Sequence, residues 1–183
     1  MDGHVTLRPV REEDLPWLAS LRDSPAATGP HEWHGWSSPH SERKHWAESG
    51  LLGDNDGTLI IQHGEGRVGA VSWRRVQTGP VAFSWALGIG LRPEFWGRGY
   101  GSAAQRLIAR YLFAHTQANR IEAVTEITNV GEQRALEKAG FTREGILRGS
   151  TFRQGRWHDQ VMYSILRDEV KLDDDSPPES GGT

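Results

Sequence analysis

The stretch LRPEFWGRGYGS, residues 91–102, sets three alternating glycines directly before a helical pattern. Gly97, Gly99 and Gly101 let successive backbone N–H groups turn toward one point, and they let a ligand approach the main chain closely. The helix that follows adds the positive end of its dipole. We therefore predict a cradle for a pyrophosphate, to which Arg98 adds a charged contact. The alternative is a glycine-rich turn that serves tight packing and binds nothing.

Two familiar phosphate-binding loops do not fit this stretch. A Walker loop requires Gly-Lys-Ser/Thr after four spacer residues, and that sequence is absent here. A dinucleotide fingerprint requires a glycine at the sixth position from Gly97, where Ser102 stands. The preceding run, residues 83–91, contains Gly88 and Gly90 within apolar sequence, which indicates either a β-bulge or a ligand lying against the strand.

The rest of the chain alternates strand-like and helix-like patterns. Strands are predicted at 4–10, 58–63, 67–76, 81–91, 121–127, 141–147 and 160–166, and helices at 11–24, 41–52, 101–115 and 131–139. The turn HGEG at 63–66 indicates a hairpin, and residues 24–39 show no period. This order predicts an α/β protein with a mixed sheet and helices on its faces.

Composition narrows the class of protein. The 183 residues suit one domain, residues 1–170, followed by a disordered acidic tail, KLDDDSPPESGGT at 171–183. The chain has no cysteine, which excludes disulfides, thiolate zinc sites and a cysteine nucleophile. No signal peptide or apolar run of about 20 residues is present, so we expect a cytoplasmic protein without a membrane partner.

Charge is unevenly distributed along the chain. Residues 168–183 contain six acids and one base, while the whole chain has a formal net charge of −3. The body before the tail is therefore slightly basic. That charge fits a phosphate-rich cofactor and is too weak to indicate nucleic acid.

Several blocks resemble one known family. GLRPEFWGRGYGSAAQRLIARYLF (90–113) is similar to the cofactor motif of the GNAT acetyltransferases, and NVGEQRALEKAGF (129–141) is similar to a later helix of that family. GILR (145–148), GRWHD (155–159) and VTLRPVREEDLPWLASLRDS (5–24) resemble the branch of ribosomal-protein N-terminal acetyltransferases and small-molecule relatives. The resemblance covers about residues 4–167.

The resemblance implies a fold, a cofactor and a reaction. The fold is a central mixed, mostly antiparallel twisted sheet of about seven strands flanked by about four helices, with strands four and five splayed. Acetyl-CoA is the acyl donor, without a metal, and an amine attacks it directly in a ternary complex. The predicted CoA-binding residues are Ile89, Gly90, Leu91, Trp96, Gly97, Arg98, Gly99, Tyr100, Gly101, Ser102, Asn129 and Arg134.

The usual acid and base of the family are not carried over. Leu136 stands where many members have a tyrosine, Glu132 stands where the branch often has a serine, and residues 84–90 contain no glutamate. Glu126, at the end of the fifth predicted strand, and Glu132 are therefore the candidate proton acceptors, with the larger effect expected for Glu126. The alternatives are a solvated strand end for Glu126 and a helix-dipole charge for Glu132.

The segment HEWHGW, residues 31–36, suggests an acceptor pocket formed by His31, Trp33, His34 and Trp36. The alternative is tryptophans that cover the core beside exposed histidines, and the spacing does not match a zinc protease. The acceptor is a primary amine of a small metabolite or antibiotic, or a protein N-terminus. The slightly basic body and the lack of an acidic stretch around Trp33 disfavour a strongly cationic acceptor.

Two matters stay open at the level of sequence. The oligomeric state is either monomer or homodimer. A second function is a catalytically reduced acyl-CoA-binding module that acts as a sensor or scaffold, because the family's tyrosine and strand glutamate are missing.

Overall fold

The computed structural model describes residues 4–171. Seven strands form one sheet in the order β1-β2-β3-β4-β5-β7-β6, and only the β4–β5 pair is parallel. The strands are β1 (Val5–Pro9), β2 (Asp56–His63), β3 (Gly66–Gln77), β4 (Phe83–Leu91), β5 (Arg120–Glu126), β6 (Thr142–Arg153) and β7 (Arg156–Leu166). The predicted mixed, mostly antiparallel sheet is confirmed.

The described part of the chain also contains five α-helices: α1 (Leu15–Ser20), α2 (Pro25–Thr28), α3 (Pro39–Ser49), α4 (Tyr100–His115) and α5 (Val130–Ala139). The additional helix, α2, is a single turn within the segment that showed no period. Ser24 caps it by accepting a hydrogen bond from the Ala27 N–H, and proline occupies its first turn.

The helices cover both faces of the sheet. Residues of β2 alternate between the two sides, so that Leu59 and Ile61 pack with α4 while Ile60 packs with α1. The α4 side includes the buried residues Ile108 and Leu112. Each buried aliphatic side chain of this size contributes roughly 1.5–3 kcal/mol relative to an exposed one. The sheet therefore has one buried apolar cluster on each face, and together they fix the positions of its strands.

Strands β4 and β5 diverge soon after they meet. Their parallel pairing joins Trp85 to Ile121, Ala86 to Glu122 and Leu87 to Ala123, and it goes no further. Because β4 continues to residue 91 and β5 to residue 126, a cleft opens between their carboxyl ends. The expected separation of strands four and five is confirmed.

The glycines of β4 do not mark a bulge against β3. The β3–β4 register runs without a shift from the pair Gly69–Leu91 to the pair Gln77–Phe83. The bulge interpretation of Gly88 and Gly90 is therefore wrong on that side of the strand. A Cβ added to Gly90 would meet no atom within 4 Å, so open space lies beside it.

The β6–β7 hairpin is longer than its sequence predicted. The predicted strands ended at 147 and restarted at 160, but β6 runs to Arg153 and β7 begins at Arg156. Gln154 and Gly155 have φ of 51° and 78°, which is the left-handed pair of a tight two-residue hairpin. The added rungs are mostly exposed and therefore lack the apolar alternation that signals a strand.

No helix within residues 4–171 is long and apolar enough to span a membrane. The predicted acidic tail lies outside the described residues except for Lys171.

Candidate active site

The glycine-rich loop before α4 presents a row of free amides. The Trp96 N–H donates to the Pro93 carbonyl and the Ala103 N–H donates to the Gly99 carbonyl, both at 3.1 Å. Between them, the N–H groups of residues 97–102 have no backbone acceptor among the described residues. Free amides at the start of a 16-residue helix form an arrangement that binds anions.

The conformation of this loop requires glycine. Gly97 and Gly99 have φ of 73° and 81°, in the left-handed region that other residues rarely adopt. A Cβ at either position would meet nothing within 4 Å, so the space in front of the amides is open. The loop therefore offers room and donors for the predicted pyrophosphate.

Trp96 joins this loop to the segment that carries His31. Its indole N–H donates to the Leu91 carbonyl at 2.9 Å, and a Cβ on Gly29 would lie 2.5 Å from its ring. The ring thus packs directly on the backbone at Gly29, two residues before His31. Contact between Trp96 and a cofactor stays a prediction.

Helix α5 begins beside the first turns of α4. A Cβ on Gly101 would lie 3.8 Å from that of Ala135, and Gln105 of α4 donates a hydrogen bond to Glu132 of α5. Asn129 caps α5, since its side-chain oxygen accepts from the Glu132 N–H at 3.3 Å. Arg134 is exposed on the same helix. The two helix starts therefore lie next to each other.

Glu132 has a raised pKa. Its side chain is partly buried, and this burial raises the pKa of the carboxyl group to about 7. The hydrogen bond from Gln105 acts in the opposite direction. Glu32 nearby raises it further. At neutral pH the carboxyl group is therefore divided between its protonated and ionised forms, which suits a group that transfers protons.

Glu126 is the last residue of β5, at the cleft that opens where β4 and β5 separate. Counting in steps of two from Glu122, which pairs with Ala86, places the side chains of Glu122, Val124 and Glu126 on one face of the sheet. The Glu126 side chain is only 4% exposed. It is therefore not a solvated strand end.

The Glu126 carboxylate is held by a guanidinium. Arg153 Nε lies 2.6 Å from Oε1 and Arg153 Nη2 lies 2.8 Å from Oε2, a two-pronged ion pair. Hydrogen bonds from Arg153 hold the pKa of Glu126 below its usual value. A carboxylate that is kept ionised and occupied on both oxygens is a poor acceptor for a substrate proton.

Two histidines complete this cluster. His31 Nδ1 lies 3.5 Å and His158 Nδ1 lies 3.6 Å from Oε2 of Glu126. Glu32 is close enough to interact electrostatically with Glu126 and Arg153. Among the described residues, no group of His, Asp or Glu is arranged to hold a metal ion.

The segment 31–36 separates into two parts. His31 lies in the Glu126 cluster, whereas Trp36 is 89% exposed and lines a cavity of about 470 Å³ with residues of α1 and α3. Trp33 packs edge-on against Trp36 with ring centroids 6.0 Å apart. His31 therefore lies in different surroundings from the pair Trp33 and Trp36, and a shared acceptor pocket stays a prediction.

The comparison with known families agrees with this geometry. A sequence model described as an acetyltransferase (GNAT) domain matches residues 4–142. The chain belongs to the GNAT acetyltransferase family.

A curated relative agrees with this assignment, and two solved structures share the fold. The probable N-acetyltransferase YjcK of Bacillus subtilis is 35% identical over 99 residues, which is 54% of this chain and 54% of YjcK. The chain thus spans about half the length of this curated relative. Two solved structures share the fold: spermidine N-acetyltransferase of Vibrio cholerae with CoA and spermine, and RimJ of Mycobacterium smegmatis with CoA-disulfide.

The structural match covers nearly the whole GNAT chain. The Vibrio enzyme has a TM-score of 0.78 at 18% identity, covering 91% of this chain and 98% of its own. RimJ has a TM-score of 0.76 at 23% identity, covering 92% and 85%.

In this GNAT protein, the position of the family's tyrosine belongs to the core. Leu136 is fully buried within the main apolar cluster and cannot donate a proton. Sequence reasoning missed Arg153, His158 and Gln105, which position or contact the two glutamates. Only Gln105 carried a local signal, because it is a polar residue three and seven positions before Ile108 and Leu112, on the apolar face of the α4 pattern.

Proposed function

We propose that this chain is an N-acetyltransferase that transfers an acetyl group from acetyl-CoA to a primary amine within a ternary complex. The observation that carries the proposal is the row of free amides at residues 97–102, directly beside the unpaired end of β4. The presence of CoA in the Vibrio and Mycobacterium structures supports this choice of donor.

The amides of residues 97–102 hold the pyrophosphate, and Arg98 adds a charged contact. Ile89, Gly90 and Leu91 line the pantetheine arm, because β4 has no strand partner on the β5 side beyond Leu87. A backbone N–H of this unpaired stretch donates to the thioester carbonyl oxygen and stabilises the charge that develops there.

Glu132 donates a proton to the departing thiol. Its pKa of about 7 leaves a protonated fraction at neutral pH, and the group can be reloaded from water. Its place in the first turn of α5, bonded to α4, brings it near the start of the cofactor-binding helix. A carboxyl group with a pKa near neutral pH beside the cofactor loop favours an enzyme over a module that only binds acyl-CoA.

The acceptor is a small amine or a protein N-terminus. The tertiary structure adds Glu126 and Glu132 to the surroundings of Glu32, so the lack of local acidic sequence no longer argues against a cationic amine. The Vibrio neighbour is a spermidine N-acetyltransferase, so polyamines belong among the test substrates. The resemblance of the sequence to ribosomal-protein N-terminal acetyltransferases adds peptide N-termini.

The test is thiol release from acetyl-CoA with a panel of small amines, polyamines and peptides, against a reaction without amine. Amine-dependent release with a matching mass gain on one acceptor is expected. CoA binding without turnover on any member of the panel would favour the sensor or scaffold function instead. Failure to bind CoA would contradict both.

A further inference from the structure

The ring of His31 is oriented through one nitrogen. Its Nδ1 lies 3.5 Å from Oε2 of Glu126 and 3.4 Å from Oγ1 of Thr128. A neutral imidazole that faces an ionised carboxylate through Nδ1 carries its hydrogen there, because the carboxylate can only accept. Nε2 then holds the lone pair, and within residues 4–171 it has no hydrogen-bond or ion-pair partner.

His158 gives an internal comparison. It approaches the same carboxylate oxygen at 3.6 Å through Nδ1, but its Nε2 lies 3.2 Å from the Arg153 carbonyl oxygen. Both of its ring nitrogens are therefore engaged. Of the two histidines beside Glu126, only His31 keeps a nitrogen for a substrate.

The His31 ring also lies where a substrate can reach it. Glu126 is the last residue of β5, beyond the end of the β4–β5 pairing, and it lies on the same face of the sheet as Glu122. The His31 side chain is 24% exposed, whereas that of Glu126 is 4% exposed, so a substrate can reach the imidazole more readily than the carboxylate behind it.

We propose that His31 is a catalytic residue that takes a proton from the acceptor amine through Nε2, and that Glu126 is the positioning residue that orients its ring. This inference rests on the proposed N-acetyltransferase function.

Two protons leave the acceptor nitrogen during the reaction. An ammonium acceptor gives its first proton to His31 Nε2, which later passes it to solvent, and the free amine then attacks the thioester carbon. The C–N bond forms and the C–S bond breaks. The second proton passes from nitrogen to water as the amide forms, while Glu132 gives its own proton to the departing sulfur and is reprotonated from water afterwards. One ammonium and one thioester therefore yield one amide, one thiol and one released proton.

Several charged groups face His31. Glu126 of β5 and Glu32 of its own loop interact with it directly. The others act through these two carboxylates: Arg153 of β6 and His158 of β7 lie against Glu126, while His34 of the same loop and Glu132 of α5 interact with Glu32. Arg153 pairs with Glu126 and balances its charge, so that the carboxylate orients the imidazole without an uncompensated negative field.

The experiment compares two acceptor amines with wild-type protein and the variant His31→Gln. One amine is protonated at pH 7, and the other has a pKa below 6 and is already neutral. For the protonated amine, kcat should fall by roughly 10²-fold or more, the usual contribution of a general base. For the neutral amine the fall should be less than about threefold, since no proton must be removed before attack.

The matched control is His158→Gln, which removes a histidine from the same carboxylate. Because neither ring nitrogen of His158 is left for a substrate, any change in kcat should be the same factor for both amines. Glu126→Gln should also lower kcat for the protonated amine and not for the neutral one, but by a smaller factor than His31→Gln. Imidazole added to His31→Ala should restore part of the rate with the protonated amine.

Three results would overturn the assignment: an equal loss for both amines, no loss for either, or the same selective loss in His158→Gln. CoA affinity is measured in each variant. A normal affinity shows that the protein is folded and its cofactor site intact, independently of any change in kcat. A wild-type protein that binds CoA and acetylates no amine would instead contradict the proposed function, and the role of His31 with it.

Discussion

At the scale of single residues, Gly99 is the most demanding position of the cofactor loop. Replacing it with valine forces a β-branched residue into φ near 81° and places methyl groups in front of the amides. CoA affinity should fall by roughly tenfold or more, because hydrogen bonds to charged groups are worth about 1.5–3 kcal/mol each. Equilibrium CoA binding measures this.

Gly64 offers the control, since its φ is 60° and a Cβ there also meets nothing within 4 Å, but it lies in the β2–β3 turn. Gly64→Val should bear similar backbone strain and keep its CoA affinity. Normal CoA binding in a folded Gly99→Val protein would show that this loop does not hold the pyrophosphate.

Glu132 predicts a pH effect on stability. Its folded pKa of about 7 lies above the usual value of an unfolded glutamate, so the folded state binds the extra proton. The favourable contribution is complete below the unfolded pKa, near 4.3, and is lost as pH rises through about 7. Glu132→Gln should therefore gain stability relative to wild type at pH 8 and little at pH 4.5.

Chemical denaturation at both pH values measures this difference. The exposed Glu94→Gln makes the same charge change and should alter stability equally little at both. In the acetyl-transfer assay, Glu132→Gln should also lower kcat by roughly 10-fold to 10²-fold. A Glu132→Gln protein with an unchanged pH–stability curve would contradict the raised pKa.

At the scale of elements, the β6–β7 hairpin is joined to β5 through Arg153 and Glu126. Arg153→Met leaves a buried carboxylate without its cation, and such a loss typically costs about 3–5 kcal/mol. We expect a comparable fall in the free energy of unfolding, measured by denaturant titration at pH 7.

The double variant Arg153→Met with Glu126→Gln removes both charges and should recover most of that loss, because no ionised group is then stranded. If the single and double variants were equally unstable, packing of the Arg153 side chain rather than its charge would hold the hairpin.

Local sequence predicted most elements within a few residues. The α4 pattern worked because a long amphipathic helix repeats its apolar positions many times, and α5 ends at Gly140, whose φ of 99° suits a helix stop. The end of β6 was missed because its last rungs are stabilised by pairing with β7 alone and show no apolar period.

At the scale of the whole molecule, we expect the acidic tail to be dispensable. Its sequence after Val170 is almost free of apolar residues and cannot repay the entropy cost of ordering. A protein truncated after Lys171 should keep its Tm within a few degrees and its CoA affinity within about twofold. A large loss of either would mean that the tail packs on the body or on a partner.

The sequence by itself determined the fold class, the glycine-rich loop before α4 and the family, because these depend on backbone conformation and on residues close together in the chain. Only the tertiary structure decided what the titratable groups do. Glu126 meets Arg153, 27 residues away, and His31, which lies in a distant loop. The pKa of a carboxyl group is lowered by a cation, as in Glu126, or raised by burial, as in Glu132, and tertiary packing decides which of the two occurs. The order of residue types along the chain shows neither the burial of a side chain nor its distant partners.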